Sequence, residues 1–391
     1  MSALNDRIPV TILTGFLGAG KSTLLNRILK DPVMKDAAVI INEFGDVGID
    51  HLLVESSGDS IIELSDGCLC CTVRGELVDT LANLMDAVQT GRVKPVKRVV
   101  IETTGLADPS PVMQAIMGNP VIATNFELDG VVTVVDAVNG LQTLDNHEEA
   151  RKQAAVADRL IVSKKTMAEA TDGLEKRLRA LNPRAVMMDA DSAEAGSAAV
   201  LDNGLYDPAT NIADVGRWLK DEDSHEAHHN HDHNHDHNHD GDHHGHHHHS
   251  HDHDGHAHQD PHDVNRHDAS IRSFSIIEEK PIDPMALDMF IDLLRSAHGE
   301  KLLRMKAIVS VSDRPDRPLV LHGVQSIFHP PVRLAAWPGE DRRTRMVLIT
   351  RDLPEAFVKD LFDAFLGKPR IDMPDRAALS DNPLAIPGMR I

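Results

Sequence analysis

A glycine-rich stretch near the start of the chain constrains the fold more than any other part of the sequence. It matches the phosphate-binding pattern G-x-x-x-x-G-K-[ST]. The residues that carry the match are Gly15, Gly18, Ala19, Gly20, Lys21, Ser22 and Thr23. An apolar, β-branched run at 10–14 precedes this stretch, and apolar residues at helical spacing follow it at 24–29. The glycines therefore lie at a strand-to-helix turn, where backbone N–H groups and a helix N-terminus converge on an anion.

Two side chains of this loop carry its chemistry. Lys21 is placed to reach the β- and γ-phosphates of a nucleotide, and Ser22 is placed to ligate Mg²⁺. The alternative is a chance glycine turn, which leaves the alignment of strand, loop, lysine and helix unexplained. The stretch therefore predicts a nucleotide-binding loop.

Strands and helices alternate from residue 8 to about residue 200. Predicted strands lie at 10–14, 39–41, 98–101, 131–135 and 159–162, with helices such as 76–88 and 147–157 between them. Continuous β-branched runs that alternate with helices indicate an α/β P-loop domain with a mostly parallel sheet, covered on both faces. Ligands of such sheets bind at the carboxyl ends of the strands, so we expect the residues directly after each strand to form the site.

Three residues at predicted strand ends are candidates for that site. Glu102 follows a buried strand, as does the carboxylate that holds Mg²⁺ in P-loop proteins. Its alternative role is that of an ordinary strand-end carboxylate or a helix N-cap, and the phosphate loop upstream favours the metal role. Gly105 would let its backbone N–H approach a γ-phosphate. Asp136 is either a site residue or a cap.

All three cysteines of the chain lie within four residues, at Cys68, Cys70 and Cys71. Such a cluster is no disulfide framework, and thiolates are soft ligands for Zn²⁺, Cu(I) and iron–sulfur clusters. Because three thiols this close cannot easily face one tetrahedral ion, two thiolates plus another residue are the more plausible set. The candidates for that other residue are Glu43, Asp46, Asp66 and the histidines. The alternative is a set of buried thiols that act as small hydrophobes.

The predicted strand at 159–162 leads into Ser163-Lys164-Lys165-Thr166. A guanine-reading motif, N-K-x-D, would have an asparagine at Ser163 and an aspartate at Thr166, whereas Lys164 fits the motif. A hydroxyl cannot offer the two acceptor oxygens of a carboxylate. Nucleotide specificity is thus the weakest point of the sequence argument.

A histidine- and aspartate-rich segment occupies 221–268 and holds most of the 25 histidines. With almost no apolar residues it is expected to be disordered. Neutral imidazoles at this density bind Zn²⁺, Ni²⁺, Co²⁺ or Cu²⁺, so the segment is interpreted as a metal reservoir or capture arm. The alternatives are a linker with incidental metal affinity and an expression tag, but a tag would be terminal and uninterrupted.

A second folded region follows this segment. Its pattern predicts a small α+β domain with an antiparallel sheet, with strands at 271–276, 303–309, 318–324 and 345–349 and helices at 285–296 and 354–366. The predicted organisation is therefore a nucleotide domain at 1–220, the histidine-rich arm at 221–268, the α+β domain at 269–367 and an irregular tail at 368–391.

The overall charge and hydropathy exclude several partners. A formal net charge of -21 argues against nucleic acid held through phosphate contacts. No apolar run is long enough to span a bilayer, and the first residues lack the basic and apolar regions of a signal peptide. We therefore expect a soluble, cytoplasmic protein.

Taken together, these motifs resemble the CobW-type family of P-loop GTPases, relatives of the nickel-insertion GTPases that serve urease and hydrogenase. The resemblance is carried by the phosphate loop and by 42–45, 67–71, 102–105 and the Leu-His-Gly-Val-Gln run at 321–325. The C-x-C-C after this phosphate loop is its most specific part. Two positions depart from the family pattern: Thr166 replaces the guanine-reading aspartate, and Ile41 stands where some members have a glutamate metal ligand.

The resemblance implies a GTP-hydrolysing metal chaperone that uses GTP and Mg²⁺ and holds Zn²⁺ at the C-x-C-C cysteines, with Co²⁺ as an alternative cargo. It also implies a client metalloprotein as the partner, and three thiols suggest a metal-dependent homodimer. Two alternative functions stay open: a cobalt chaperone for cobalamin synthesis, and a histidine-rich storage protein with a vestigial nucleotide site. No catalytic base is assigned, because Glu43 and Asp46 could position water or be structural.

Overall fold

The computed structural model describes residues 7–41, 61–63, 72–202 and 270–368. These ranges hold two sheets, each with its own set of helices. The histidine-rich arm and the tail that the sequence predicts lie outside the described residues. Within the described ranges, no helix is both long enough and apolar enough to cross a membrane.

The first sheet is parallel throughout. Its strands are β1 (Ile8–Gly15), β2 (Ala37–Ile41), β3 (Ile61–Glu63), β4 (Arg98–Glu102), β5 (Phe126–Asp136), β6 (Arg159–Ser163) and β7 (Val186–Asp189). They lie in the order β3-β2-β4-β1-β5-β6-β7, and every neighbouring pair is parallel. The carboxyl ends of β1 and β4 are thus adjacent, which brings the phosphate loop next to Glu102.

Helices cover both faces of this sheet. They are α1 (Lys21–Ile28), α2 (Thr72–Gln89), α3 (Ser110–Gly118), α4 (Pro120–Asn125), α5 (Gly140–Asn146), α6 (Glu148–Ala155) and α7 (Asp172–Leu181). Side chains alternate between the faces of a strand, so Ile12 packs in one buried cluster with α2 and α3, and Leu13 packs in another with α1. The predicted two-sided parallel sheet is confirmed.

The second sheet is antiparallel. It comprises β8 (Ile271–Glu278), β9 (Leu302–Val309), β10 (Leu319–Val324), β11 (Ile327–Phe328), β12 (Val332–Arg333) and β13 (Thr344–Arg351), with helices α8 (Pro284–His298) and α9 (Glu355–Phe365). The strand order is β11-β10-β9-β13-β8, and β12 pairs with β10. Asp283 caps α8 by accepting hydrogen bonds from the N–H groups of Met285 (2.9 Å) and Ala286 (3.2 Å). The predicted α+β architecture of this region is confirmed.

The two sheets share apolar packing. Four buried residues of the second region, Ile271, Leu303, Val324 and Ile349, belong to the same buried cluster as α2, α3 and α6 of the first. Gly118, at the end of α3, packs so closely that an added Cβ would lie 2.9 Å from a methyl carbon of Ile327. The carboxy-terminal region therefore completes part of the core of the nucleotide domain.

A buried charged cluster joins the same two regions. Asp158, just before β6, accepts hydrogen bonds from Arg304 (2.8 Å) and Lys306 of β9 and from the Val131 N–H (2.9 Å). Burial alone raises the pKa of Asp158, but the charges of Arg304 and Lys306 hold that pKa well below its usual range. Asp158 is thus ionised and neutralised by two cations of the other domain.

His322 of β10 lies beside this cluster. It is 4% exposed, and its Nε2 accepts a hydrogen bond from Arg304 Nε at 3.3 Å. Burial lowers the pKa of His322 to about 4, although the charge of Asp158 acts in the opposite direction and His329 adds to the lowering. The imidazole is therefore neutral at pH 7, as a hydrogen-bond acceptor for Arg304 must be.

This histidine is expected to make the folded state sensitive to mild acid. Between pH 6.5 and 4 the unfolded chain protonates His322 and the folded chain does not, so the free energy of unfolding falls as the pH falls through that window. The loss is roughly 3 kcal/mol. Urea unfolding at pH 7 and pH 4.5 should show a smaller pH-dependent loss for His322→Gln than for the wild type. Equal losses in both proteins would contradict the prediction.

Candidate nucleotide-binding site

The phosphate loop connects β1 to α1 through a tight turn. Gly15 has φ +144°, and a Cβ there would overlap the carbonyl oxygen of Val134 on β5. Gly18 and Gly20 also have positive φ, 72° and 95°. Ala19, between them, is buried and donates its N–H to the Phe16 carbonyl at 3.1 Å. The loop thus has the glycine-dependent backbone that the sequence pattern predicts.

Lys21 begins α1 and folds back over this loop. Its Nζ donates to the carbonyl oxygens of Gly15 (3.0 Å) and Phe16 (3.4 Å), and the residue is only 7% exposed. An ammonium held there, next to the N-terminus of α1, provides positive charge where the loop would cradle phosphates. Thr23, two residues further along α1, is exposed.

Ser22 and Glu102 meet at the adjacent carboxyl ends of β1 and β4. The Ser22 hydroxyl donates to Glu102 Oε1 at 2.9 Å, and both residues are buried. A hydroxyl and a carboxylate in contact supply the hard oxygen ligands that Mg²⁺ prefers. The donor set therefore fits Mg²⁺, and these two residues would hold it.

The segment after β4 lies against the phosphate loop. A Cβ on Gly105 would lie 2.5 Å from the Leu17 nitrogen, so only glycine allows this approach. Gln153 of α6, 1% exposed, fixes the segment from behind by donating to the carbonyls of Gly105 (3.1 Å) and Ala107 (2.9 Å). Sequence reasoning predicted Gly105 but missed Gln153, whose only signal is a polar residue among the buried alanines of a helix.

The end of β6 approaches the loop from the other side. Ser163 Oγ donates to the Ala19 carbonyl at 2.7 Å, and Lys164 Nζ donates to the Gly18 carbonyl and to Asp136 Oδ2, each at 2.8 Å. Lys164 adopts a left-handed conformation, with φ 58°. Of the predicted motif, Lys164 therefore contacts the phosphate loop, whereas the Thr166 side chain is exposed.

Asp136 combines the two roles that the sequence left open. It caps a turn by accepting the Val138 N–H at 2.8 Å, and it pairs with Lys164. Burial raises the pKa of Asp136, but the hydrogen bonds from Lys164 and Val138 outweigh it and leave the pKa below its usual value. Asp136 thus orients Lys164 against the loop.

The predicted metal ligands Glu43, Asp46, Cys68, Cys70 and Cys71 lie outside the described residues, as does the alternative ligand Asp66. Within the ranges that the structure describes, no group of three His, Cys, Asp or Glu side chains could hold a metal ion. The strands that flank those segments are described, however. Ile41 at the end of β2 pairs with both Glu102 and Glu63, the last residues of β4 and β3. The last described residues before segments 42–60 and 64–71 are therefore at the carboxyl ends of their strands, on the side of the sheet that carries the phosphate loop.

Two family models match most of the chain. Residues 9–189 match the model of the CobW/HypB/UreG nucleotide-binding domain, and residues 271–366 match that of the cobalamin synthesis protein CobW carboxy-terminal domain. The chain therefore belongs to the CobW family of P-loop proteins, as the sequence motifs predict.

Two relatives align with this chain over nearly its full length, and a third aligns with part of it. The chain is 29% identical to the zinc chaperone YjiA of Escherichia coli, over 91% of this chain and 98% of that protein. It is also 29% identical to the zinc chaperone CobW of a Sinorhizobium species, over 93% and 99%. A zinc-regulated GTPase metalloprotein activator of Schizosaccharomyces pombe is 41% identical over 41% of this chain and 39% of its own.

A solved structure shares the fold. The Zn(II)-bound YjiA GTPase from E. coli superposes with a TM-score of 0.60 at 25% identity, covering 92% of this chain and 99% of that one. Both the parallel and the antiparallel sheet are therefore part of one known architecture.

Proposed function

We propose that this protein is a nucleoside triphosphatase that uses GTP to control the delivery of Zn²⁺ to a client metalloprotein. The single observation that carries the proposal is that the predicted Mg²⁺ site and the strands leading into the predicted Zn²⁺ ligands meet at the carboxyl ends of the parallel strands. Glu102 contacts Ser22 there, and β2 and β3, which lead into 42–60 and the cysteine segment 64–71, end in register beside Glu102. The zinc chaperones that match the chain over more than nine tenths of its length support the choice of metal.

In this proposal the phosphate loop binds a nucleoside triphosphate. The backbone N–H groups of the glycine loop surround the phosphates, Lys21 compensates their charge, and Gly105 brings a backbone N–H towards the γ-phosphate. Ser22 and Glu102 hold Mg²⁺, which when bound neutralises charge on the β- and γ-phosphate oxygens. Thr23 adds a donor at the first turn of α1, and Lys164 lies on the side where the base would be. No residue of the described chain is assigned as a general base.

The loop after β4 is the element that would respond to nucleotide hydrolysis. Gly105 touches Leu17 of the phosphate loop, and Gln153 ties the same segment to α6. Lys152, next to Gln153 in α6, pairs with Asp108 (3.4 Å) of the same segment and with Glu148 (3.1 Å) at the start of the helix. Glu148 in turn pairs with Arg351 of the second domain at 2.6 Å. Loss of the γ-phosphate would shift this loop. We propose that the shift affects both the cysteine segment 64–71 and the second domain, where the client docks.

Equilibrium dialysis of Zn²⁺ tests this coupling. We expect the wild type to bind one tight Zn²⁺ whose affinity differs by about tenfold between GDP and a non-hydrolysable GTP analogue. The matched variant, with Cys68→Ser, Cys70→Ser and Cys71→Ser together, should lose the tight ion and keep nucleotide turnover. Equal Zn²⁺ affinity in both nucleotide states would refute the chaperone.

Several weak ions that survive the cysteine replacements would instead favour the storage protein that the 25 histidines suggest. Tighter binding of Co²⁺ than of Zn²⁺ at the cysteines would favour a cobalt chaperone. Size measurement with and without one equivalent of Zn²⁺ tests the proposed metal-dependent homodimer.

Removing one charge from the Mg²⁺ site should change the requirement for that ion. Glu102→Gln keeps an acceptor for Ser22 but loses the carboxylate, so the Mg²⁺ concentration for half-maximal hydrolysis should rise by roughly tenfold. Titration of turnover against Mg²⁺ measures this. The exposed Glu340→Gln serves as the control. An unchanged Mg²⁺ requirement in Glu102→Gln would remove Glu102 from the site.

A further inference from the structure

The loop after β6 lacks a carboxylate where guanine would be read. Thr166 is exposed, and its hydroxyl has one oxygen, whereas a carboxylate offers two, one each for the N1–H and the 2-amino group of guanine. Lys165, the residue before it, is directed away by an ion pair with Glu175 at 2.8 Å. A preference for guanine over adenine therefore requires an acceptor from a neighbouring element.

Two elements flank this loop: the end of β5, whose Asp136 already pairs with Lys164 at 2.8 Å, and the turn after β7. β6 and β7 are parallel with Val162 opposite Asp189, and the Ala190 N–H donates to the Val162 carbonyl at 2.9 Å. Lys164 and Asp191 each lie two residues beyond this last paired position, in the turns that follow the two strands. The turn after β7 thus leaves the sheet beside the residue that contacts the phosphate loop.

The turn is anchored to the helix that follows the phosphate loop. Arg27 of α1 donates one guanidinium nitrogen to the Ala190 carbonyl and the other to the Ser192 carbonyl at 3.1 Å. Both carbonyls flank Asp191, so its backbone is held next to α1. Lys164 donates to the Gly18 carbonyl of the phosphate loop at 2.8 Å, so a base bound on this side of the loop would lie between Lys164 and this turn.

Among the acidic residues in and directly after the turn that follows β7, Asp191 has the carboxylate that is available. Asp189 uses Oδ1 to accept the Asp191 N–H at 2.8 Å and so stabilises the turn. Glu194 lies 4.0 Å from Arg159. The Asp191 side chain is exposed and makes no hydrogen bond or ion pair with the described residues. Its two oxygens are therefore accessible to a ligand.

We propose that Asp191 is the residue that selects guanine, in place of the aspartate that Thr166 lacks. Its carboxylate would accept the N1–H and the 2-amino N–H of guanine. Adenine presents an acceptor nitrogen and a C–H at those positions, so the same carboxylate disfavours it. This inference rests on the proposed nucleotide site and specifies how that site chooses its substrate.

Exchange of the carboxylate for an amide tests the proposal on the full-length protein. Asp191→Asn keeps the shape of the side chain but adds an N–H₂ donor, which matches the 2-oxo group of xanthine. We expect the affinity for GDP to fall by roughly 30-fold, the affinity for XDP to rise by a similar factor, and the affinity for ADP to stay within about twofold. Displacement of a fluorescent nucleotide measures all three.

Two matched variants separate Asp191 from its neighbours. Asp189→Asn keeps the Oδ1 acceptor of the turn, and Glu169→Gln alters the next exposed acid after Thr166. Both should retain the wild-type order of GDP, XDP and ADP. The proposal is overturned if Asp191→Asn keeps the wild-type order, if Glu169→Gln loses it, or if the wild type binds GDP and ADP equally. A wild type that binds no nucleotide would overturn the proposed function as well.

Discussion

Lys21→Ala is expected to lower nucleotide hydrolysis by roughly 1000-fold. The γ-phosphoryl group carries its charge on three oxygens in the transition state, and catalysis there depends on cations fixed in advance. Lys21 is such a cation, because it is 7% exposed and its Nζ is already held by the carbonyls of Gly15 and Phe16. Alanine removes the charge and leaves the loop carbonyls without that donor.

Single-turnover hydrolysis at saturating nucleotide measures the effect, with far-UV circular dichroism to verify that the variant is folded. Lys21→Arg separates charge from shape: its planar guanidinium cannot reproduce a compact ammonium between two carbonyls, so it should also be strongly impaired. The exposed Lys35→Ala is the control. Turnover of Lys21→Ala within tenfold of the wild type would show that hydrolysis does not depend on this loop.

The largest effect on stability is expected for Asp158→Ala. This change leaves Arg304, which is 3% exposed, and Lys306 at the domain interface without their carboxylate. Removing one partner of a buried ion pair costs about 3–5 kcal/mol, because the remaining charge stays desolvated. Urea denaturation should show this loss as a lower midpoint with little change in slope.

Glu148→Ala provides a matched comparison at the same interface. Its pair with Arg351 is more exposed, so the cost should stay near 1 kcal/mol or below. Asp158 precedes β6 and so lies at the amino ends of the parallel strands, whereas the phosphate loop lies at their carboxyl ends. Nucleotide affinity of the folded Asp158→Ala protein should therefore be unchanged. A stability loss no larger than that of Glu148→Ala would contradict the prediction, because it would mean that water or nearby groups compensate the unpaired charges of Arg304 and Lys306.

Elements with strong local signals were predictable from sequence. Buried parallel strands such as β4 and β5 are continuous apolar runs, and the phosphate loop has a fixed spacing of glycines and lysine. Short strands lack such a signal: β3 has three residues, and β7 has four that are all half-buried. They form because a neighbouring strand offers its edge, which is information that no local window contains.

The polar contacts of the interface and the site were less predictable. Arg304 and Lys306 alternate with apolar residues in β9, which is typical of a strand with one solvated face, yet Arg304 is buried against the first domain. Gln153 is marked in the sequence only as a polar residue among the alanines of a helix, which does not indicate that it holds the Gly105 segment. The role proposed for Asp191 follows only from the strand order, which places β7 beside β6. Each of these depends on which elements become neighbours in the fold.

The shared core has a consequence for how this chain can be divided. Family comparison recognises two units, but Ile271, Leu303, Val324 and Ile349 of the second are buried with the helices of the first. A fragment that ended at residue 202 would expose that apolar surface of α3 and α6 to water and would tend to associate. Exchange of one half between relatives would have to preserve both sides of this contact. Substitutions on one side of this contact are therefore expected to be accompanied by substitutions on the other side.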